Sequence, residues 1–298
     1  MTSRGVAYAA AVAAAVLWGG NFVAVRLALE HFDPYLLTAL RFAFVAALIP
    51  IVGWPRKMPV TTLLLYSLCS GIGQYLLSTV AIQLGLSPGL AALLMQFQVF
   101  ISLALSWLIL GESVRTTTIA GSVLGLAGLT GVLATGGSKA PWLASAVCLL
   151  AAAGWAFANT TIKRSTESVI RLQCASGLIC LPAIWLAREL ALPGAPPALQ
   201  ALVQAPLAGW LPVAYVVIAS FAVAQVLWGK AIGTVGVAAT SPIALLIPVF
   251  GVALAWLLLD ENLSVQLLVS AAVVLAGVAV HVVPMALKPA PVPRARTA

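Results

Sequence analysis

The stretch ALSWLILGE at residues 104–112 returns as ALAWLLLDE at residues 253–261, and in the same register Leu126–Ala127–Gly128 returns as Leu275–Ala276–Gly277. Leu and Ala recur by chance in apolar sequence, but here the rarer Trp and Glu recur as well, so the chain reads as two copies of one unit. A second echo pairs Trp18 and Arg26 with Trp155 and Lys163 at equal spacing.

Around these stretches the chain stays apolar. Hydrophobic residues make up 62% of the 298 positions, charged residues 7%, and the mean hydropathy is +1.11. A soluble domain is about half apolar and a quarter charged, so a water-facing fold cannot bury this much apolar surface. Lipid is therefore the solvent, and backbone amides in hydrocarbon need internal partners, which restricts the spans to helices or a closed barrel. Unbroken runs such as Leu36 to Val52 and Leu267 to Val283 select helices, because barrel strands alternate polar and apolar residues.

Charge and Pro/Gly punctuation divide the chain into helices at about Val6–Leu29, Pro34–Val52, Thr61–Leu84, Pro88–Leu110, Thr116–Leu133, Trp142–Ile162, Ser168–Ala187, Gly209–Ile232, Val237–Leu259 and Ser264–Val283. These are called the first to tenth helices below. The first is longer than a signal-peptide apolar region and lacks a convincing cleavage site, so it is expected to be retained. With the N-terminus inside, the inner segments hold Arg4, Arg56, Lys57, Arg115, Lys163, Arg164, Arg171, Lys230, Lys288, Arg294 and Arg296, whereas the outer loops hold Lys139 and Arg188. The positive-inside rule then places both termini in the cytoplasm of a cell whose inner membrane the protein crosses. The net charge of +8 is scattered over these loops and the tail rather than gathered in one patch, which argues against nucleic acid as a partner.

Five helices per copy is an odd number, so the second copy enters the membrane from the opposite side. The expected architecture is all-α, with ten transmembrane helices as two inverted five-helix repeats around a central cavity. Residues 1–138 form the first repeat, 139–287 the second and 288–298 a disordered tail. Such halves can rock about a mid-plane site, which is the geometry of alternating access.

A Trp-Gly in the first helix (Trp18–Gly19), an Arg-Phe in the second (Arg41–Phe42), a short link into the fourth, and Gly111–Glu112 before a small-residue fifth helix together form a pattern. It resembles the EamA-type repeat of the drug/metabolite transporter superfamily, over nearly the whole chain. Among its members the chain looks most like YddG-type exporters of aromatic and other amino acids. The resemblance implies export of neutral amino acids and related small metabolites; the alternative is efflux of drugs or organic cations, held by cation–π contacts. One departure stands out. Family repeats carry a proline in the helix before the Gly-Glu, as with Pro248 in the second half, but the first half has Gln96, Phe97, Gln98 and Val99 there. The fourth helix is therefore expected to run without a bend, with its glutamines turned to the pathway.

Polar side chains in hydrocarbon are costly and face a bundle interior or a wet cavity, so they are the best pointers to a binding site. Trp18, Phe22 and Arg26 share one face of the first helix with Asn21 beside them, and Trp155, Asn159 and Lys163 repeat that face in the sixth. The third helix adds Gln74, Tyr75 and Ser78, the fourth Met95, Gln96 and Gln98, and the eighth Gln225 and Trp228. Amides and hydroxyls suit carboxylate and ammonium groups, while Trp, Tyr and Met accept varied apolar side chains. Each of these residues also has a structural reading, as interhelical glue worth about 0.6 kcal/mol or as an interfacial anchor. Arg26, Arg41 and Lys163 read as gating or structural charges, and either arginine could meet a substrate carboxylate or pair with Glu30 or Asp33.

Catalytic motifs, metal-ligand spacing and cofactor-binding motifs are missing from the sequence, so neither an enzyme nor a cofactor is implied. The four cysteines fall inside apolar runs as small hydrophobes. No carboxylate lies in mid-span, so gradient-driven export is expected rather than proton exchange. The Gly121/Gly125 pair offers a close-packing face either between the halves or between protomers, which leaves monomer and homodimer both open.

Overall fold

The computed structural model describes residues 3–110, 116–135, 142–163, 165–235 and 240–286. These residues are helical in each of the ten expected stretches. Among the described residues, six helices are long and apolar enough to cross a membrane: Ser3–Ala28, Pro34–Val52, Val60–Gln83, Trp142–Ile162, Val169–Ala191 and Leu207–Val235. Shorter apolar helices lie at Pro88–Ser102, Ile119–Gly128, Ile243–Leu259 and Val265–Val280. Their outer surfaces are greasy, with Ile51 83%, Leu190 74% and Val265 76% exposed, which only a hydrocarbon surround makes favourable.

Local sequence fixes several ends. Asp33 caps the second helix by accepting the Leu36 N–H at 2.8 Å, with Pro34 at the first turn, where its missing donor costs nothing. Ser87 does the same for the fourth helix, accepting the Leu90 N–H at 3.3 Å ahead of Pro88. The third helix closes at Gly85, whose φ of 97° belongs to the left-handed region that favours glycine. A short helix at Ala198–Gln204, absent from the sequence reading, adds Ala198, Ala201 and Leu202 to the main apolar core, which Trp210 also joins.

Two departures from regular helix have no local signature. The third and eighth helices each widen into a π segment of nine residues, Leu68–Leu76 and Tyr215–Val223. The fourth helix, expected to be unbent, is interrupted between Pro88–Leu94 and Phe97–Leu110. The interruption sits at Met95 and Gln96, where the Gln98 N–H bonds back to Met95 O at 3.2 Å and the Val99 N–H to Gln96 O at 3.0 Å, in tight three-residue steps. Proline is therefore not the cause. Met95 and Gln96 are both buried, so tertiary packing overrides a locally helical sequence. In the second half the corresponding helix begins as a 3₁₀ turn, Ser241–Leu245, and runs on as Leu246–Leu259.

Packing crosses between the halves. The first helix lies against Leu207–Val235 and Leu246–Leu259, and the sixth, Trp142–Lys163, lies against Val60–Gln83 and Phe97–Leu110. The second helix pairs with the seventh, and the fifth with the tenth. Small residues set the closest approaches: a methyl group added at Gly19 would sit 2.8 Å from Gly251 N and Ile247 O, and one at Gly277 would sit 2.5 Å from Gly125 N and 2.6 Å from Gly121 O. The Gly121/Gly125 face is thus taken up between the halves.

Candidate functional site

The first, second and third helices meet around Arg41. Arg41 is 5% exposed, and its guanidinium donates from Nη2 to Asn21 Oδ1 at 2.8 Å. The guanidinium carbon lies over the Tyr75 ring, 4.8 Å from its centre, and that ring meets Phe42 edge-on at 5.8 Å. Asn21, Arg41 and Tyr75 each stand seven or eight residues from one end of their helix, so they share a depth of about 10–12 Å at 1.5 Å per residue.

The other sequence candidates fall into a second and a third group. Trp18 meets Trp228 of the eighth helix with ring centres 5.2 Å apart and planes tilted by 59°. Gln98 Oε1 accepts from Asn159 Nδ2 at 3.2 Å and from Ser102 Oγ at 3.4 Å, which joins the fourth helix to the sixth. Phe22 and Trp155 lie against the main apolar core, and Met95 and Gln96 are buried at the break in the fourth helix. Ser78 turns to its own helix and donates to Tyr75 O at 3.0 Å. Gln74 and Gln225 are half-buried and keep their amides unpaired among the described residues. Arg26 is exposed and paired with Glu30 at 3.6 Å, a solvated contact worth well under about 1 kcal/mol. The Lys163 side chain lies outside the described residues.

Two ionic ties escaped sequence reasoning, and both join the second helix to the seventh. At one end Arg188, 3% exposed, reaches Asp33 at 2.8 Å and donates to Pro196 O at 2.8 Å. At the other, Glu167 accepts the backbone N–H groups of Arg56, at 2.6 Å, and of Lys57, while Arg171 donates to Val52 O at 2.9 Å. The only signal for the first tie was the Asp-Pro cap; for the second there was none. A third cross-contact comes from Glu261, which accepts from Ser87 and the Gly89 N–H at the start of the fourth helix, with Oε1 buried and unpartnered among the described residues.

Glu167 and Glu261 are shifted in opposite directions. The Lys57 N–H, followed by the Arg56 N–H and the Arg171 charge, holds Glu167 below the usual carboxylate range. Burial pushes Glu261 above it. The stabilisation from Glu167 is thus full above the ordinary range and is lost as pH falls through its depressed pKa; that from Glu261 is full below the range and is lost as pH rises through its raised pKa. Thermal melts from about pH 3 to pH 7 should then show Glu167→Gln losing ground to wild type as pH rises through the low end of that range and Glu261→Gln gaining it through the high end. Parallel curves for both variants would refute the assignment.

The profile described as the EamA-like transporter family matches residues 5–134 and again 141–283. A probable amino-acid metabolite efflux pump of Salmonella typhimurium is 32% identical over 276 residues, covering 90% of this chain and 91% of that protein. A probable terminal-alkyne amino-acid exporter of Streptantibioticus cattleyicolor is 26% identical, with the same 90% and 91% coverage. A solved crystal structure superposes with a TM-score of 0.61 over 94% of this chain and 97% of the other, at 22% identity, and shares the fold.

Proposed function

The chain belongs to the EamA-like transporter family and is a multi-pass membrane protein, and on that premise we propose that it exports amino acids, aromatic and other neutral ones, and related small metabolites across the bacterial inner membrane. The two halves, residues 1–138 and 139–287, are inverted five-helix repeats with both termini cytoplasmic, and they alternate in opening as the cargo runs down its own gradient. The relatives' names, an amino-acid metabolite efflux pump and a terminal-alkyne amino-acid exporter, support the cargo class.

The observation that carries the mechanism is the pattern of cross-packing. Exchanging the halves maps the first helix on the eighth and ninth onto the sixth on the third and fourth, while the second–seventh and fifth–tenth pairs map onto themselves. The π segments in the third and eighth helices obey the same exchange. A pseudo-two-fold axis in the membrane plane is what rocking of inverted repeats requires. The Trp18–Trp228 pair and the Gln98–Asn159 contact each join helices from opposite halves, so a cargo held among them would feel the halves move.

Counterflow of twenty labelled amino acids in proteoliposomes tests the reading. Exchange is expected for aromatic and other neutral amino acids without an imposed pH gradient, and Trp228→Ala and Gln98→Ala are each expected to slow it about tenfold or more, the equivalent of about 1.4 kcal/mol. Accumulation that needs a pH gradient would overturn the gradient-driven step, and equal flux in wild type and both variants would remove these residues from the pathway.

A further inference from the structure

We infer that Arg41, with Asn21 and Tyr75, is the receptor for the carboxylate of the transported molecule, an assignment that rests on the export reading above. The chain has seven acidic residues. Glu30 is taken by Arg26, Asp33 and Glu189 by Arg188, Glu167 by Arg171 and two backbone N–H groups, and Glu261 by Ser87 and Gly89. Asp260 ends the ninth helix in a left-handed conformation, and Glu112 lies outside the described residues. Among the described residues, Arg41 therefore differs from the other buried arginine, Arg188, which holds two carboxylates and a carbonyl.

A guanidinium carries five N–H donors and cannot shed its proton at any working pH. Among the described residues the side-chain acceptor for Arg41 is Asn21 Oδ1, and the remaining support is the face of Tyr75. A buried cation at membrane depth with neutral partners carries an unrecovered desolvation cost, and an anion recovers it. Asn21 accepts from Nη2 alone and the Tyr75 ring lies against the guanidinium carbon, which leaves further N–H groups for a planar acceptor that matches them bidentately. A carboxylate has that shape and charge. The polar groups converge from the first three helices at one depth, beside the half-buried ring of Tyr75, on which an apolar substrate side chain can lie.

The consequence is chemical: cargo must carry a carboxylate, and organic cations are rejected by the same guanidinium that admits amino acids. The test compares counterflow of the amino acid that wild-type protein exchanges fastest with counterflow of its α-carboxamide, which keeps the side chain and loses the negative charge. Wild type should prefer the acid by about tenfold to a hundredfold, the worth of a charge-assisted hydrogen bond. Arg41→Gln should lower acid exchange by that factor and spare the amide, bringing the ratio near one; a merely structural loss would lower both together. Asn21→Asp supplies a built-in carboxylate to Arg41, so the variant should melt higher than wild type yet exchange the acid poorly. Since it gains an ion pair, it also carries the test if Arg41→Gln does not reconstitute. Acid and amide exchanged alike by wild type, an unchanged ratio in Arg41→Gln, or acid exchange at wild-type rate in Asn21→Asp overturns this assignment alone. A wild type that exchanges none of the twenty amino acids overturns the export reading and the assignment together.

Discussion

Gly154→Val is expected to leave the chain unable to assemble into a thermally stable species in detergent. Gly154 faces the π segment of the third helix, and a methyl group there would lie 2.7 Å from the Gly73 carbonyl carbon and 2.8 Å from Cys69 O. Both neighbours are backbone. Unlike a side chain, they cannot rotate away, so the sixth helix must move off the third along its length. Overpacking in a core costs about 1–3 kcal/mol when side chains can adjust; here the adjustment is a helix displacement, and the upper end or beyond is expected. Gly229, in the eighth helix, meets nothing within 4 Å, and Gly229→Ala should leave the melt unchanged or raise it by up to about 1 kcal/mol through helix propensity. Size-exclusion profiles and thermal melts decide the matter, and like behaviour of Gly154→Val and Gly229→Ala would disprove the close approach.

Asp33→Asn is the second large effect. Asparagine still caps the second helix, since its side-chain oxygen accepts the Leu36 N–H as aspartate does, so the substitution isolates the ion pair from the cap. What disappears is the negative charge 2.8 Å from Arg188 Nε, and Arg188 is 3% exposed. Removing one partner of a buried pair costs about 3–5 kcal/mol because the other charge stays buried without compensation. Glu189, on the exposed side of the same guanidinium at 3.2 Å, recovers part of this, so about 2–3 kcal/mol is the expected loss. The contrast is Arg26→Gln, which breaks an exposed pair and should change the melt by less than about 1 kcal/mol. Equal melting of Asp33→Asn and wild type would mean that the tie contributes nothing net.

Much of the architecture was legible because it rests on properties that sequence carries locally. Solvent choice follows from composition, span positions follow from apolar length, and Asp33–Pro34 and Ser87–Pro88 announce their helix starts through side-chain chemistry. Arg41 and Asn21 could be singled out because polarity at membrane depth is rare, although their pairing with each other could not. The break at Met95–Gln96 was misjudged for a definite reason: proline is one cause of a helix interruption, and packing from other helices is another that leaves no local trace. The π segments and the Glu167 tie share that origin, since Glu167 meets residues more than a hundred positions away. The Gly121/Gly125 face was recognisable, but its partner was not, because small residues permit close approach without choosing a neighbour.

The second and seventh helices are joined at both rims at once, by Arg188 with Asp33 at one and by Glu167 and Arg171 with the chain at 52–57 at the other. Two-point support of that kind resists sliding of one helix along the other and resists splaying at either rim, while turning about the shared line remains permitted. Any relative movement of the halves that keeps both joints intact therefore leaves the second–seventh seam closed at both rims, and the opening falls on the side of the bundle away from it.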